Sequence, residues 1–314
     1  ADSGNHRLII TDPTGEQVTV IGSGRGGHQD GPLSEARFQD PQGMVLDGDT
    51  LYVADNLNHM IRKVDLKEGR VTTIAGTGKM LTSYATLRGR SSTPTRYALS
   101  NPWDLALVGG RLYIAMAGTH QLAVLNLATN SIAPYAGNGV EDVKDGSLAK
   151  SCLAQPSGLA TDGKYLFVAD SEGSSLRAVT LPPGNAVGTL VGTTGLPMFK
   201  SLFAFGDRDG TGSAVRLQHP IGVAYADGKI FIADTYNHKI KLVDPATRRC
   251  VTFAGQRRRG NALEPLQLHE PAGLAVHGQT LFIADTNNHR IVTVDLASRQ
   301  ARRLTISGLQ PPPK

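Results

Sequence analysis

The sequence predicts an all-β fold, a six-bladed β-propeller made of four-stranded antiparallel blades. Three observations predict it. A phrase typified by "FIADTYNHKIKLVD" from Phe231 is written six times in 314 residues, anchored at Asp2, Asp55, Met116, Asp170, Asp234 and Asp285. A second phrase, Pro-x-Gly or a variant of it, precedes five of these anchors, as "DPQG", "NPWD", "QPSG", "HPIG" and "EPAG". Short runs of alternating apolar and polar residues, bounded by turn residues, fill the space between them; alternation of this kind is the period of a half-buried strand.

One repeat, the fifth, shows the elements in order. "IGVAYAD" (221–227) is a nearly continuous apolar run, expected to be an inner strand buried on both sides. "KIFIAD" (229–234) follows Asp227-Gly228, a pair that favours the positive φ angles of a two-residue hairpin. "HKIKLVD" (238–244) sets Ile240 and Leu242 on one side, and Lys239, Lys241 and Val243 on the other. "RCVTFAG" (249–255) is the fourth strand. An isolated sheet has two faces to cover, and sheets packed face to face around an axis cover one another. An open solenoid would need polar, atypical end repeats, yet the last repeat, "LFIADTNNHRIVTVD", is among the most regular.

Antiparallel order also places the motifs. The Asp-x-x-Asn-His turn follows strand two, and strand four ends on the same side, where Pro-x-Gly leads into the next blade. Both motifs are therefore expected at one end of every blade. Asp and Asn bond their own backbone and accept tight turn geometry. Asp55, Asn58, His59, Asp234, Asn237, His238, Asp285, Asn288 and His289 are accordingly read as a structural turn motif. The first repeat supplies only strands three and four, "HRLIITD" and "EQVTVIG". The expectation is an incomplete first blade whose missing strands lie upstream in a longer protein or in another chain. The propeller is assigned to residues 1–306, and "SGLQPPPK" (307–314) is a Pro-rich tail.

These phrases resemble the NHL repeat, named for an Asn-His-Leu-like triplet. The triplet stands here as Asn5-His6-Arg7, Asn58-His59-Met60, Asn237-His238-Lys239 and Asn288-His289-Arg290, with degenerate forms at Thr119-His120-Gln121 and Gly173-Ser174-Ser175. Non-repeating phrases such as "NPWDLAL", "YIAMAGTHQ" and "LFAFGDRDG" resemble NHL propellers that follow a thioredoxin-like domain. The resemblance implies a cytoplasmic, scaffold-like role without a catalytic site on the propeller, and a thioredoxin-like domain upstream in the parent protein. The two cysteines, Cys152 and Cys250, form no CxxC, so no redox chemistry carries over.

Composition narrows the function classes. No stretch approaches 18 apolar residues, so no membrane span is expected. The net charge is +5 and the pI about 9.2. Arg248, Arg249, Arg257, Arg258, Arg259, Arg302 and Arg303 crowd the last third as a candidate basic patch. That patch makes RNA an alternative partner, although 8 Phe, 8 Tyr and 1 Trp supply few platforms for stacked bases. A metal-dependent hydrolase or lyase is a further alternative. Zinc needs at least three converging ligands, and the repeated histidines are spread one to a blade. No catalytic residue, cofactor site or metal ligand is assigned. "GDRDGTG" (206–212) lacks the remaining oxygen ligands of a calcium loop and reads as a turn. "GSGRGG" (22–27) precedes no helix and so lacks the helix N-terminus of a phosphate loop.

Function is expected where the repeats differ. Trp103 and Asp104 interrupt the Pro-x-Gly pattern, and Met116 replaces the turn Asp in the same repeat. With Gln42, Tyr236 and Asn287 they form a candidate partner-binding mouth. Insertions at about 78–100 and 193–209 border this end, and "LPMFKSLFAFG" in the second is apolar for a loop. The expected function is a non-enzymatic scaffold propeller that binds a protein partner.

Overall fold

A computed structural model describes residues 1–81 and 91–311. Part of the 78–100 insertion and the end of the tail lie outside the described residues. The chain divides into two compact units, Ala1–Tyr135 with the residues from Thr305 on, and Ala136–Leu304.

In the first unit, Leu8–Thr11 pairs with Gln17–Ile21 alone. The Pro41 blade follows, with strands Pro41–Asp47, Thr50–Asp55, Met60–Asp65 and Arg70–Ala75. The Pro102 blade comprises Pro102–Val108, Arg111–Met116, Gln121–Asn126 and Ser131–Ala136. In the second unit, the Pro156 blade comprises Pro156–Thr161, Tyr165–Asp170, Ser175–Thr180 and Val187–Val191. The Pro220 blade comprises Pro220–Ala226, Lys229–Asp234, Lys239–Asp244 and Arg249–Gly255. The Pro271 blade comprises Pro271–His277, Thr280–Asp285, Arg290–Asp295 and Ala301–Leu304. The four strands named for each blade lie side by side in sequence order.

The expectation of six blades is corrected: the propeller has five. The first repeat, expected as an incomplete sixth blade, forms only the Leu8–Thr11 and Gln17–Ile21 pair. The Asp2 anchor has its turn, but no strand one or two pairs with Leu8–Thr11 among the described residues. Two blades also exceed four strands. Gly31–Pro32 pairs with Arg70–Ala75, and Gly210–Thr211 with Arg249–Gly255, each as a two-residue fifth strand.

A second correction concerns burial. The first strand expected to be buried on both sides, 221–227, is buried at Gly222, Val223 and Ala224 but only half-buried at Ile221, Tyr225 and Ala226, and the first strands Pro41–Asp47 and Pro271–His277 are more open still. Strand two is the buried one: from its second residue on it is buried throughout in the Pro41, Pro102, Pro156 and Pro220 blades. Its alternating side chains enter the clusters on both sides of the sheet. Within the first unit, Ala54 and Ile61 of one blade pack with Leu105, Leu112 and Ile114 of the next. Within the second, Phe231, Ile240 and Phe253 pack with Leu281, Ile283 and Val292. Each such fully buried aliphatic or aromatic side chain contributes about 1.5–3 kcal/mol.

Every first strand has a register shift between its proline and the residue three positions on. The glycine in this bulge is where neighbouring backbones approach. A Cβ on Gly222 would lie 1.8 Å from the carbonyl oxygen of Ala272, whereas one on Gly273 would meet only Ala284 Cβ at 3.5 Å. Gly222→Ala should therefore destabilise the protein by about 2–3 kcal/mol through overpacking, and Gly273→Ala by less than about 1 kcal/mol. Urea unfolding of the two variants measures the difference.

Candidate functional site

The Asp turn and the lead-in to the same blade are one hydrogen-bonded unit. The proline of each lead-in faces the turn residue across the sheet, as Pro41 faces Asp55 and Pro220 faces Asp234. The Asp Oδ1 accepts the backbone N–H sixteen residues upstream: Gln39 to Asp55 at 2.7 Å, Ala154 to Asp170 at 2.6 Å, Gln218 to Asp234 at 2.7 Å and His269 to Asp285 at 2.7 Å. The Asn Nδ2 donates to the Asp Oδ2 and to a lead-in carbonyl. Asn58 reaches Gly27, Asn237 reaches Gly206 and Asn288 reaches Gly260.

The His links one blade to the next. It closes a 3₁₀ turn in the left-handed region, with φ 53° at His59 and 57° at His238. Its Nδ1 accepts the N–H of the residue before the next blade's proline: Asp40 to His6 at 3.2 Å, Asn101 to His59 at 3.1 Å and Glu270 to His238 at 3.2 Å. An accepting Nδ1 requires a neutral ring with its proton on Nε2. Burial lowers the pKa of His59; burial and then the nearby His269 lower that of His238.

The turn Asp also meets a buried cation from strand three. Arg62 Nη1 lies 2.8 Å from Asp55 and Nη2 lies 2.7 Å from Asp30. Arg177 spans Asp170 and Asp145 at 2.8 and 2.9 Å. Lys241 reaches Asp207 and Asp209 at 2.8 Å but stands 4.0 Å from Asp234. Burial pushes the Asp55 and Asp170 carboxyls up, against the pull of their arginines and donors. Asp234, without an arginine in contact, is pushed up to about 7, burial being the largest cause. Arg290 serves Asp285 at 2.7 Å, from two positions earlier on the strand than in the other three blades.

Sequence reading missed these cations. The signal was present: Asp30, Asp145 and Asp209 stand eleven residues before a lead-in proline, and only in those blades does a cation stand seven residues after the turn Asp. The Asp-Gly of "GDRDGTG" is thus a carboxylate for Lys241, followed by a fifth strand. In the Pro102 blade Met116 replaces the Asp, and Ala123 stands where the cation would be. Both are fully buried in one apolar cluster. Met116 is a core residue, not part of a surface mouth.

The other candidate mouth residues are divided between the two units. In the first unit Gln42 and Trp103 are half-buried in the bulges of neighbouring first strands. Asp104 fills the space beside Gly43, where a Cβ would come within 2.0 Å of its carboxylate. In the second unit Asn287 is exposed and donates to Glu270 at 2.7 Å. Tyr236 is exposed and stacks on His219 at 4.5 Å between ring centres. His219 Nε2 lies 3.1 Å from Glu172, and Phe205 lies 6.3 Å from the imidazole. The segment that leads to Phe205 also exposes Leu196, Met198, Phe199 and Phe203, Met198 and Phe203 being 63% and 76% exposed.

The arginines do not converge. Arg248 donates to the carbonyls of Leu190 and Thr189. Arg249 begins strand Arg249–Gly255, and Arg257, Arg258 and Arg259 follow its far end, about 20 Å away at the rise of a strand. Arg302 and Arg303 are neighbours in strand Ala301–Leu304 and point to opposite faces. Among the described residues no group of three or more His, Cys, Asp or Glu is placed to hold a metal. No described helix is long and apolar enough to cross a membrane.

A family model of the NHL repeat matches residues 217–241 and 268–293. The chain is 40% identical to NHL repeat-containing protein 2 of Bos taurus, over 95% of this chain and 45% of that protein. It is 42% identical to Protein SUPPRESSOR OF QUENCHING 1, chloroplastic, of Arabidopsis thaliana, over 99% of this chain and 31% of that protein. The chain thus spans less than half the length of these relatives. A crystal structure of a protein of unknown function from Bacteroides thetaiotaomicron superposes with a TM-score of 0.61 at 15% identity, over 90% of this chain and 62% of that one. That likeness shows the fold alone.

The ion network predicts a coupled mutational effect. Arg62→Ala should cost about 3–5 kcal/mol, because the buried Asp55 loses its cation. In an Asp55→Asn background the same change should cost markedly less. Equal losses in the two backgrounds by urea unfolding would contradict the pairing.

Proposed function

We propose that this chain, an NHL-repeat β-propeller, is a protein-binding module that docks its partner on the apolar surface of the second unit. The observation that carries this reading is the run of exposed side chains Leu196, Met198, Phe199, Phe203 and Phe205, continued through His219 to Tyr236. Apolar surface concentrated in this way marks sites of protein contact, and exposed aromatics are common binding anchors. The repeated Asp, Asn and His side chains support the reading from the other side. Their polar atoms are engaged in turn, lead-in and blade-to-blade hydrogen bonds, so the repeats build the scaffold and the departures from them are free for recognition.

RNA binding has weaker support. Arg248 is tied to backbone carbonyls, and Arg249 and Arg257 lie at opposite ends of one strand. A metal-dependent reaction lacks a ligand set among the described residues. A thioredoxin-like domain in the parent protein, implied by the resemblance, belongs to this proposal and supplies any redox activity of the whole. One relative is chloroplastic by name, so the proposal is not tied to the cytoplasm.

Met198→Ser with Phe203→Ser tests the reading. Both side chains are largely exposed, so unfolding stability should change by less than about 0.5 kcal/mol per site. Affinity capture with the wild-type chain and the double variant should return a defined protein set that the variant loses. An unchanged set would contradict the assignment of this surface. Salt-sensitive binding of short RNAs by both forms would favour the RNA reading instead.

A further inference from the structure

The glycine-rich segment 22–27, set aside as a phosphate loop for want of a helix, is built into a compact bowl in the first unit. Gly22 N–H donates to Leu33 O at 2.8 Å, Ser23 to Ala36 at 2.8 Å, Gly27 to Phe38 at 3.1 Å and Arg37 to Gln29 at 3.0 Å. Gly22, Gly24 and Gly27 hold φ angles of 102°, 77° and 142°, which side-chain-bearing residues rarely adopt. The loop is therefore preorganised by its own backbone.

An open depression of about 320 Å³ beside the loop is lined by Ser23, Arg25, Gln29, Ser34, Glu35 and Arg37. The described arginines of the turn networks all meet carboxylates. Arg25 and Arg37 form no ion pair among the described residues. Arg37 Nε is buried without a hydrogen-bond partner. Its side chain is pressed against Gly27, where a Cβ would lie 3.2 Å from Arg37 Cδ. A packed guanidinium, a second guanidinium, two hydroxyls and a side-chain amide line one open depression. This is a donor-rich set opposed by one carboxylate, Glu35.

We propose that this bowl binds a phosphate monoester, with Arg37 as the fixed guanidinium and Arg25 as the mobile one. Guanidinium groups match phosphate oxygens in bidentate geometry. Ser23, Ser34 and Gln29 supply further donors, and the depression is large enough for the esterified group as well as the phosphate. No aromatic side chain lines it, so it offers no platform for a nucleobase. The site is independent of the protein-docking surface, which lies in the other unit.

The test is calorimetric titration of the whole chain with O-phosphoserine, inorganic phosphate and serine at constant ionic strength. Saturable binding of O-phosphoserine and none of serine is expected. Tighter binding of O-phosphoserine than of inorganic phosphate identifies an esterified ligand, and equal affinities identify the free anion. Arg25→Ala with Arg37→Ala should weaken binding by roughly tenfold or more, since the change removes both charged donors from the phosphate. Glu35→Gln should tighten it severalfold and keeps the test decisive if loss of Arg37 disturbs the loop. No saturable binding of either phosphate, or affinities unchanged in both the arginine and the Glu35 variants, would overturn the proposal.

Discussion

The structure depends on one constraint, the burial of a carboxylate at the end of strand two. Asp55, Asp170, Asp234 and Asp285 are fully buried. A buried charge is costly unless its oxygens are met by donors and countercharge. Each of these four blades meets that demand with the same parts: a lead-in N–H on one oxygen, a turn asparagine or a cation on the other. The parts come from strand two, strand three and the lead-in to strand one. Satisfying the carboxylate therefore fixes where three separate segments meet. The αL histidine then carries the constraint into the neighbouring blade by accepting the next lead-in N–H.

The Pro102 blade shows the alternative solution. There the carboxylate and the cation are both absent, and Met116 and Ala123 fill the space as apolar groups. Replacing only one partner would strand a buried charge, whereas replacing both leaves an ordinary core. The Pro220 blade is intermediate. Lys241 is drawn to Asp207 and Asp209 and stands back from Asp234, whose carboxyl is pushed up to about 7. Five blades thus solve one problem in three ways, with arginine, lysine or no charge. This division separates scaffold from recognition: polar residues that repeat are consumed internally, while the exposed aromatics around Tyr236 and the arginines of the 22–38 loop belong to no repeated network.

Much of the blade was legible in the sequence because strand period and turn chemistry are local. The four strands inferred from "IGVAYAD" to "RCVTFAG" appear as Pro220–Ala226, Lys229–Asp234, Lys239–Asp244 and Arg249–Gly255. The shared end of the turns and lead-ins followed from antiparallel order alone. The blade number was misread because the strand pair after Asp2 was counted as part of a sixth blade, and no further described strand pairs with it. The burial of strand one was over-read, since only the centre of 221–227 is buried and an apolar run does not say whether both faces are covered along its length. The cations at Arg62, Arg177 and Lys241 were invisible to any single repeat. Their meaning lies in the joint presence of an Asp some thirty residues upstream, a contact that only the folded lead-in creates. The placing of Arg249 and Arg257 at opposite ends of one strand likewise depends on strand boundaries, not on their nearness in sequence.

Amide hydrogen exchange at Gln39, Ala154, Gln218 and His269 tests the central constraint most directly, since each of these N–H groups donates to the buried turn carboxylate of its blade. These are lead-in residues outside the regular strands. The account predicts that they exchange only through global unfolding, with opening free energies matching those of strand-two amides. Exchange at the rate of open loop amides, while strand two stays protected, would show that the carboxylates do not hold the lead-ins and would contradict the account.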